Sequence, residues 1–170
     1  MKILYERDKN KLTICEIVFT VTNNVRNEID PVYIRRLHES KEVRYTVKAD
    51  RSKGVPYMPR KFPKGTWKIT GVEHYQEVKG IPSFDKNEYG TVRIRTDAHQ
   101  KVNVWTLDKA GGYNYQTTAT VEDYGYLFHF APTSMTTIGC GRMVSQDAAD
   151  KLASLIEKSI DHEPIVLEVV

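Results

Sequence analysis

The sequence predicts a single β-dominated domain, residues 1–170, with one main helix in its C-terminal half, and three observations predict it. Segments such as TVRIRT and KVNVWTL alternate polar and apolar residues with the two-residue period of a half-buried strand. Glycine, proline and other turn formers punctuate these short runs, a spacing that suits a mainly β domain better than a strand–helix–strand array. A strong helical pattern emerges only late, in SQDAADKLASLIEKSI.

Taken in order, KILYERDKNKLTICEIVFTV holds short apolar runs around the polar RDKNK and reads as a hairpin or a bent pair of strands. Within it Cys15 stands in a β-branched, apolar pattern that predicts a core residue. TNNVRNEIDPVYIRRLHES reads as a loop followed by a short helix from Pro31 to Glu39, and KEVRYTVKA alternates as a charged, edge-like strand. In GVPYMPRKFPKGTWKITG, Pro63, Lys64 and Gly65 form a tight turn, and a strand emerges over Thr66 to Thr70. TVRIRT and KVNVWTL follow as strands parted by DAHQ, GGYNYQTTATVEDYG is flexible or extended, and YLFHFAP is a hydrophobic strand ending just after His129. The helix begins after Ser145, whose hydroxyl suits an N-cap. Asp147 and Asp150 lie early, where negative charge is favoured, and Ala149, Leu152, Ile156 and Ile160 trace one apolar face. PIVLEVV closes the chain as a strand.

A chain of 170 residues buries roughly two thirds of its unfolded surface and needs no metal or disulfide merely to fold. Its 25 basic and 22 acidic residues are interspersed, so the net charge of +3 describes a solvated surface with a mild basic excess, not a demand for nucleic acid. Two cysteines far apart make neither a disulfide framework nor a CxxC metal or redox spacing. No apolar run approaches a membrane span, and the opening MKILYERDKN lacks a secretory signal, so the expectation is a protein cytoplasmic as made or exported to the periplasm or cell wall by another route.

The chemistry concentrates in TTIGCGRM. Cys140 lies between two glycines, shortly before Arg142 and a helix, and His129 ends the preceding strand. A thiol becomes a nucleophile when a base favours its thiolate and small neighbours leave the sulfur open, and APTSMTTIG is long enough to return the chain so that histidine and cysteine meet. Gly139, Gly141 and Arg142 then offer backbone donors and a positive charge to a developing oxyanion. On this reading Cys140 alkylates faster than Cys15, which stays protected until the protein unfolds. The structural alternative is a buried cysteine near a histidine with no catalytic role. A metal hydrolase requires three ligands such as His74, Asp123 and His129, whose spacing imitates no metal motif. The basic cluster of Arg60, Lys61 and Lys64 reads first as a solvated loop and second as a holder of acidic substrate.

The stretch from His129 through GCGRM, the helix from Asp147 to Ile160 and the closing PIVLEV resemble the C-terminal part of the L,D-transpeptidase catalytic domain. KLTICEIV looks like that family's opening strand, and FPKGTWKI like its Thr-Pro-x-Gly segment. The resemblance covers most of the chain, and its specific part follows His129. It implies an L,D-transpeptidase-like β-sandwich or sheet in which a cysteine attacks a peptide carbonyl of peptidoglycan stem peptides and passes the acyl group to an amine or water. Carried over, Cys140 is the nucleophile, His129 the base and Arg142 the substrate-side arginine, while Gly139 and Gly141 shape the oxyanion pocket. Lys61, Lys64, Ser134 and Thr137 are candidates for substrate binding. No metal or organic cofactor is required. Thr137 and Ile138 stand where the family commonly has Ser-His, Phe130 stands where glycine or serine is frequent, and the loop before Cys140 is short, as in distant phage-associated relatives. The competing reading is a non-catalytic phage or cell-wall binding or structural protein that retains the fold.

Overall fold

A computed structural model describes residues 1–23, 55–56, 61–75, 89–107, 113–132 and 139–170, with side chains for all of these except 55–56 and 102–121. The expected helix at Pro31–Glu39 and the strand KEVRYTVKA lie outside the described residues. The chain forms two compact units, one of Met1–Val25, Arg60–Ala98 and Tyr126–Val170, the other of Arg26–Pro59 and His99–Gly125.

Eight strands of the first unit close into a barrel: β1 (Lys2–Glu6), β2 (Lys11–Ile14), β3 (Ile17–Thr22), β5 (Gly65–His74), β6 (Val92–Thr96), β9 (Leu127–His129), β10 (Gly141–Met143) and β11 (Val166–Val169). Around the wall they run β1-β11-β5-β6-β9-β10-β3-β2, and β2 pairs again with β1. This corrects the expected open sandwich or sheet. The mainly β character and the late helix stand, but the last strand pairs in parallel with the first, Lys2 opposite Val166, so the sheet has no free edge. The second unit contains a three-stranded sheet in which β7 (His99–Leu107) lies between β4 (Val55–Pro56) and β8 (Tyr113–Tyr124). A register shift interrupts the β7–β8 ladder between Trp105 and Thr106.

Strand periodicity sorts each side chain to the inside or outside of the barrel. Ile3 and Tyr5, Leu12 and Ile14, Phe19 and Val21, Val92 and Ile94, Phe128, Met143, and Leu167 and Val169 alternate inward and form one buried cluster. Phe62 enters this cluster from the segment before β5, stacks on Phe128 at 4.9 Å and meets Tyr5 edge-on at 5.8 Å. Burial also holds the Tyr5 phenol well above its ordinary pKa.

The register fixes which connections share an end of the barrel. At one end lie Asn23, after β3, and Gly139 and Cys140, before β10, because β10 runs antiparallel to β3 with Arg142 opposite Thr22. The 3-10 turn Arg7–Lys9 joins β1 to β2 at that same end. At the other end sit the β2–β3 hairpin and the helix α1 (Gln146–Ile160). Ser145 caps the helix as expected, accepting from the Ala148 N–H at 3.1 Å. Ala149, Leu152, Ala153 and Ile156 join the barrel core, and Gln146 accepts from the Thr91 N–H at 2.9 Å beside the start of β6. Helix and Phe62 thus fill the barrel from its two ends. No helix among the described residues is long and apolar enough to cross a membrane.

Cys15 contradicts its expected place in a core strand. With Glu16 it forms the two-residue turn of the β2–β3 hairpin, and both residues take left-handed φ, 46° and 65°. A type I′ turn, one of the two that match the natural twist of the strands, takes left-handed φ at both central residues, and the chain adopts it here although neither residue is glycine. The thiol is exposed and lies 3.6 Å from the Met1 sulfur.

Candidate active site

His129 and Arg142 come together through a parallel pairing of two short strands, with Cys140 just before the second of them. β9 lies beside β10 with Gly141 opposite Phe128 and Arg142 opposite His129. Phe128, Gly141 and Met143 face the barrel interior, so alternation sends His129 and Arg142 to the outer face of the wall. Cys140 directly precedes β10, one position before the residue that pairs with Phe128 and two before the residue that pairs with His129. It is buried, with 8% of its surface exposed, yet it is not a member of the core cluster. His129 is 4% exposed.

Each glycine beside the cysteine has its own backbone or packing reason. Gly139 takes φ 97°, a left-handed conformation that a side chain would strain. Gly141 is needed for close approach, because a Cβ there would meet the Phe128 ring at 2.5 Å and Val21 at 3.0 Å. Phe128 therefore lies against the bare backbone of the residue that follows the nucleophile candidate.

The same registers assemble a polar row across five strands, Glu73, Arg93, His129, Arg142 and Thr22. Glu73 pairs with Arg93 through Nε and with Arg95 at 3.0 Å, which neutralises part of the positive charge beside the histidine. The Tyr89 ring lies 5.0 Å from that of His129, with the Arg93 guanidinium 5.5 Å from the same tyrosine ring. Arg142 donates from Nη2 to the Ala131 carbonyl at 3.1 Å and lies 5.6 Å from the Phe130 ring. Its Nε is buried without a hydrogen-bond partner among the described residues. Phe130, an oddity in the sequence, is thus the platform for the arginine.

Asn23 completes the surroundings of the cysteine. Its side-chain amide donates to the Gly139 carbonyl at 3.0 Å and to the Cys140 carbonyl at 2.7 Å, and its oxygen accepts from the Phe62 N–H at 2.8 Å. The residue is buried, as its fully used hydrogen-bonding capacity permits.

Lys61 and Lys64 occupy the cysteine's end of the barrel but turn to Asp8, at 3.1 and 3.3 Å. Arg7 and the two lysines hold the exposed Asp8 carboxyl well below the usual carboxylate range, so this cluster carries its own counterion at neutral pH. Ser134, Thr137 and Arg60 lie outside the described residues. His74 pairs with Glu157 of α1 at 2.6 Å. Among the described residues no three His, Cys, Asp or Glu side chains are grouped to hold a metal ion.

Asn23, Glu73, Arg93 and Tyr89 were not legible as site residues. Asn23 had one signal, a polar residue directly after an apolar strand. The others enter only through cross-strand register, which no local pattern encodes.

The exposure of Cys15 reverses one expectation. Treated with iodoacetamide without denaturant, Cys15 is expected to label completely at the rate of an ordinary exposed thiol. Cys140, being buried, matches or exceeds that rate only if its thiolate is favoured. Peptide mapping over a time course reads both thiols, and a Cys15 that labels only on unfolding contradicts the hairpin-turn assignment.

The chain matches no known protein family model, no curated protein and no solved structure.

Proposed function

We propose that the chain is an L,D-transpeptidase-like cysteine enzyme that transfers or hydrolyses acyl groups of peptidoglycan stem peptides through a thioester at Cys140. The observation that carries this reading is the parallel β9–β10 pairing, which sets His129 opposite Arg142, with Cys140 directly before β10. His129 takes the thiol proton, and the Cys140 sulfur attacks a peptide carbonyl, forming a C–S bond. Collapse of the tetrahedral intermediate breaks the C–N bond, and the amine leaves with the proton returned by the histidine. An incoming amine or water then attacks the thioester, with His129 accepting its proton, and the thiolate departs. Arg142, held over Phe130, supplies positive charge for a substrate carboxylate.

A second reading, a scaffold that keeps the fold without the reaction, is favoured by the 8% exposure of Cys140 and by the packing reason found for each flanking glycine. Incubation with purified peptidoglycan fragments, followed by mass spectrometry of products and protein, separates the two. The enzyme reading expects cross-linked or shortened stem peptides and an acyl adduct mapped to Cys140, both absent in Cys140→Ser. Fragments left unchanged, or products that persist in Cys140→Ser, sink it.

A further inference from the structure

We infer that Asn23 is a positioning residue for Cys140, acting by setting both peptide planes that flank the nucleophile. The inference rests on the cysteine-enzyme reading above. One amide group donates to the carbonyls on either side of the same residue, at 3.0 and 2.7 Å. Among the described residues no peptide bond is cis, and in a trans peptide the N–H points opposite to its carbonyl. Holding the Gly139 carbonyl toward Asn23 therefore turns the Cys140 N–H away from it. Holding the Cys140 carbonyl does the same for the Gly141 N–H. These two N–H groups belong to Cys140 and to the residue after it, and are the donors proposed for the oxyanion that forms when a carbonyl is attacked.

An external clamp helps the alignment because neither flanking glycine carries a side chain to restrict it. Gly139, at φ 97°, has no Cβ to restrict the first plane, and Gly141 has none to restrict the second. Asn23 is itself anchored, since its oxygen accepts from the N–H of Phe62, and Phe62 is locked into the barrel core at 0% exposure. A chain of fixed geometry thus runs from the stacked pair Phe62 and Phe128 through Asn23 to the cysteine. Asparagine suits this place for a chemical reason. It carries two donors and an acceptor on one planar group, whereas an ionised aspartate has only acceptors and repels both carbonyls.

Two reagents distinguish positioning from mere support of the fold. Iodoacetamide alkylates a thiolate by displacing iodide and builds no oxyanion. p-Nitrophenyl acetate is attacked at its carbonyl, so that a C–S bond forms, the acyl C–O bond breaks and p-nitrophenolate leaves with the electron pair. The rates of both reactions at Cys140 are measured by peptide mapping in the wild type, Asn23→Ala and Asn23→Asp, with Cys15 as the internal reference at the opposite end of the barrel. Only variants that keep the wild-type circular dichroism and a cooperative thermal transition are read. Asn23→Asp retains the acceptor for the Phe62 N–H and is the variant to read if Asn23→Ala does not fold. The expected result is a fall of at least about tenfold in acylation relative to alkylation at Cys140, with no change in that ratio at Cys15. Acylation and alkylation moving by the same factor, or neither moving, overturns the inference while leaving the enzyme reading intact. Failure of both variants to fold makes Asn23 a residue of the fold and also overturns it. A wild-type Cys140 that reacts with neither reagent faster than Cys15 removes the enzyme reading and the inference together.

Discussion

His129→Gln is expected to lower the acylation of Cys140 by p-nitrophenyl acetate about 100-fold at neutral pH while leaving Cys15 unchanged. Glutamine keeps a polar side chain of comparable reach on the outer face, so the packing against Tyr89 is disturbed less than by alanine. What it removes is the capacity to take a proton. The register puts His129 opposite Arg142, two residues along the chain from Cys140, and the imidazole is the base proposed for the thiol. Glu73 is already engaged by Arg93 and Arg95, which leaves it poorly placed to substitute for the histidine. Time courses over a range of pH, mapped peptide by peptide, make the measurement. A variant rate within about threefold of wild type removes His129 from the proton transfer and with it the reason for reading Cys140 as activated.

The largest expected effect on stability comes from a single added methyl group. Gly141→Ala is expected to cost about 1–3 kcal/mol, because the new Cβ falls 2.5 Å from the Phe128 ring and 3.0 Å from Val21, both inside the barrel. Phe128 has little freedom to retreat, since Phe62 stacks on it at 4.9 Å and Tyr5 meets it at 5.3 Å. For a chain of this size the loss corresponds to a thermal midpoint lower by roughly 3–10 °C. Gly71→Ala on β5 is the control: no atom lies within 4 Å of its added Cβ, so close to no change is expected from packing. Phe128→Leu opens space beside Gly141, and the double variant should lose less than the sum of the single losses, a coupling that chemical denaturation reads directly. Additive losses, or a Gly141→Ala variant as stable as Gly71→Ala, contradict the close packing of β9 on β10.

The elements themselves were legible because each is written in a local pattern. Two-residue alternation marked the strands that became β6 and β7, and the spacing of Ala149, Leu152 and Ile156 with the Ser145 cap marked α1 almost to the residue. In β6 and α1 one face is buried in the core and the other is more exposed, so burial leaves its period in the sequence. The strand predicted at Thr66–Thr70 is longer in the structure, Gly65–His74, because Gly71, Val72 and Glu73 pair with β6 without showing a clear apolar alternation. Cys15 misled for a related reason. Its neighbours Ile14 and Ile17 are apolar and pair across the hairpin, so an apolar pattern broken only by Glu16 concealed a turn that carries no glycine, proline or asparagine.

For the candidate site, the chemical types of Cys140, His129 and Arg142 and their order along the chain were determined by the sequence alone, as were the main strands and the late helix. Only the tertiary structure decided that β11 closes the sheet against β1, that β9 and β10 run parallel, and that Asn23 reaches the two carbonyls around Cys140. The division has a physical reason. Periodicity and capping depend on residues within a few positions of one another. Partner choice between strands depends on which apolar faces can be buried together across the whole chain. A cysteine flanked by glycines announces a special backbone, but whether those glycines serve catalysis or make room for Phe128 is settled by what packs against them.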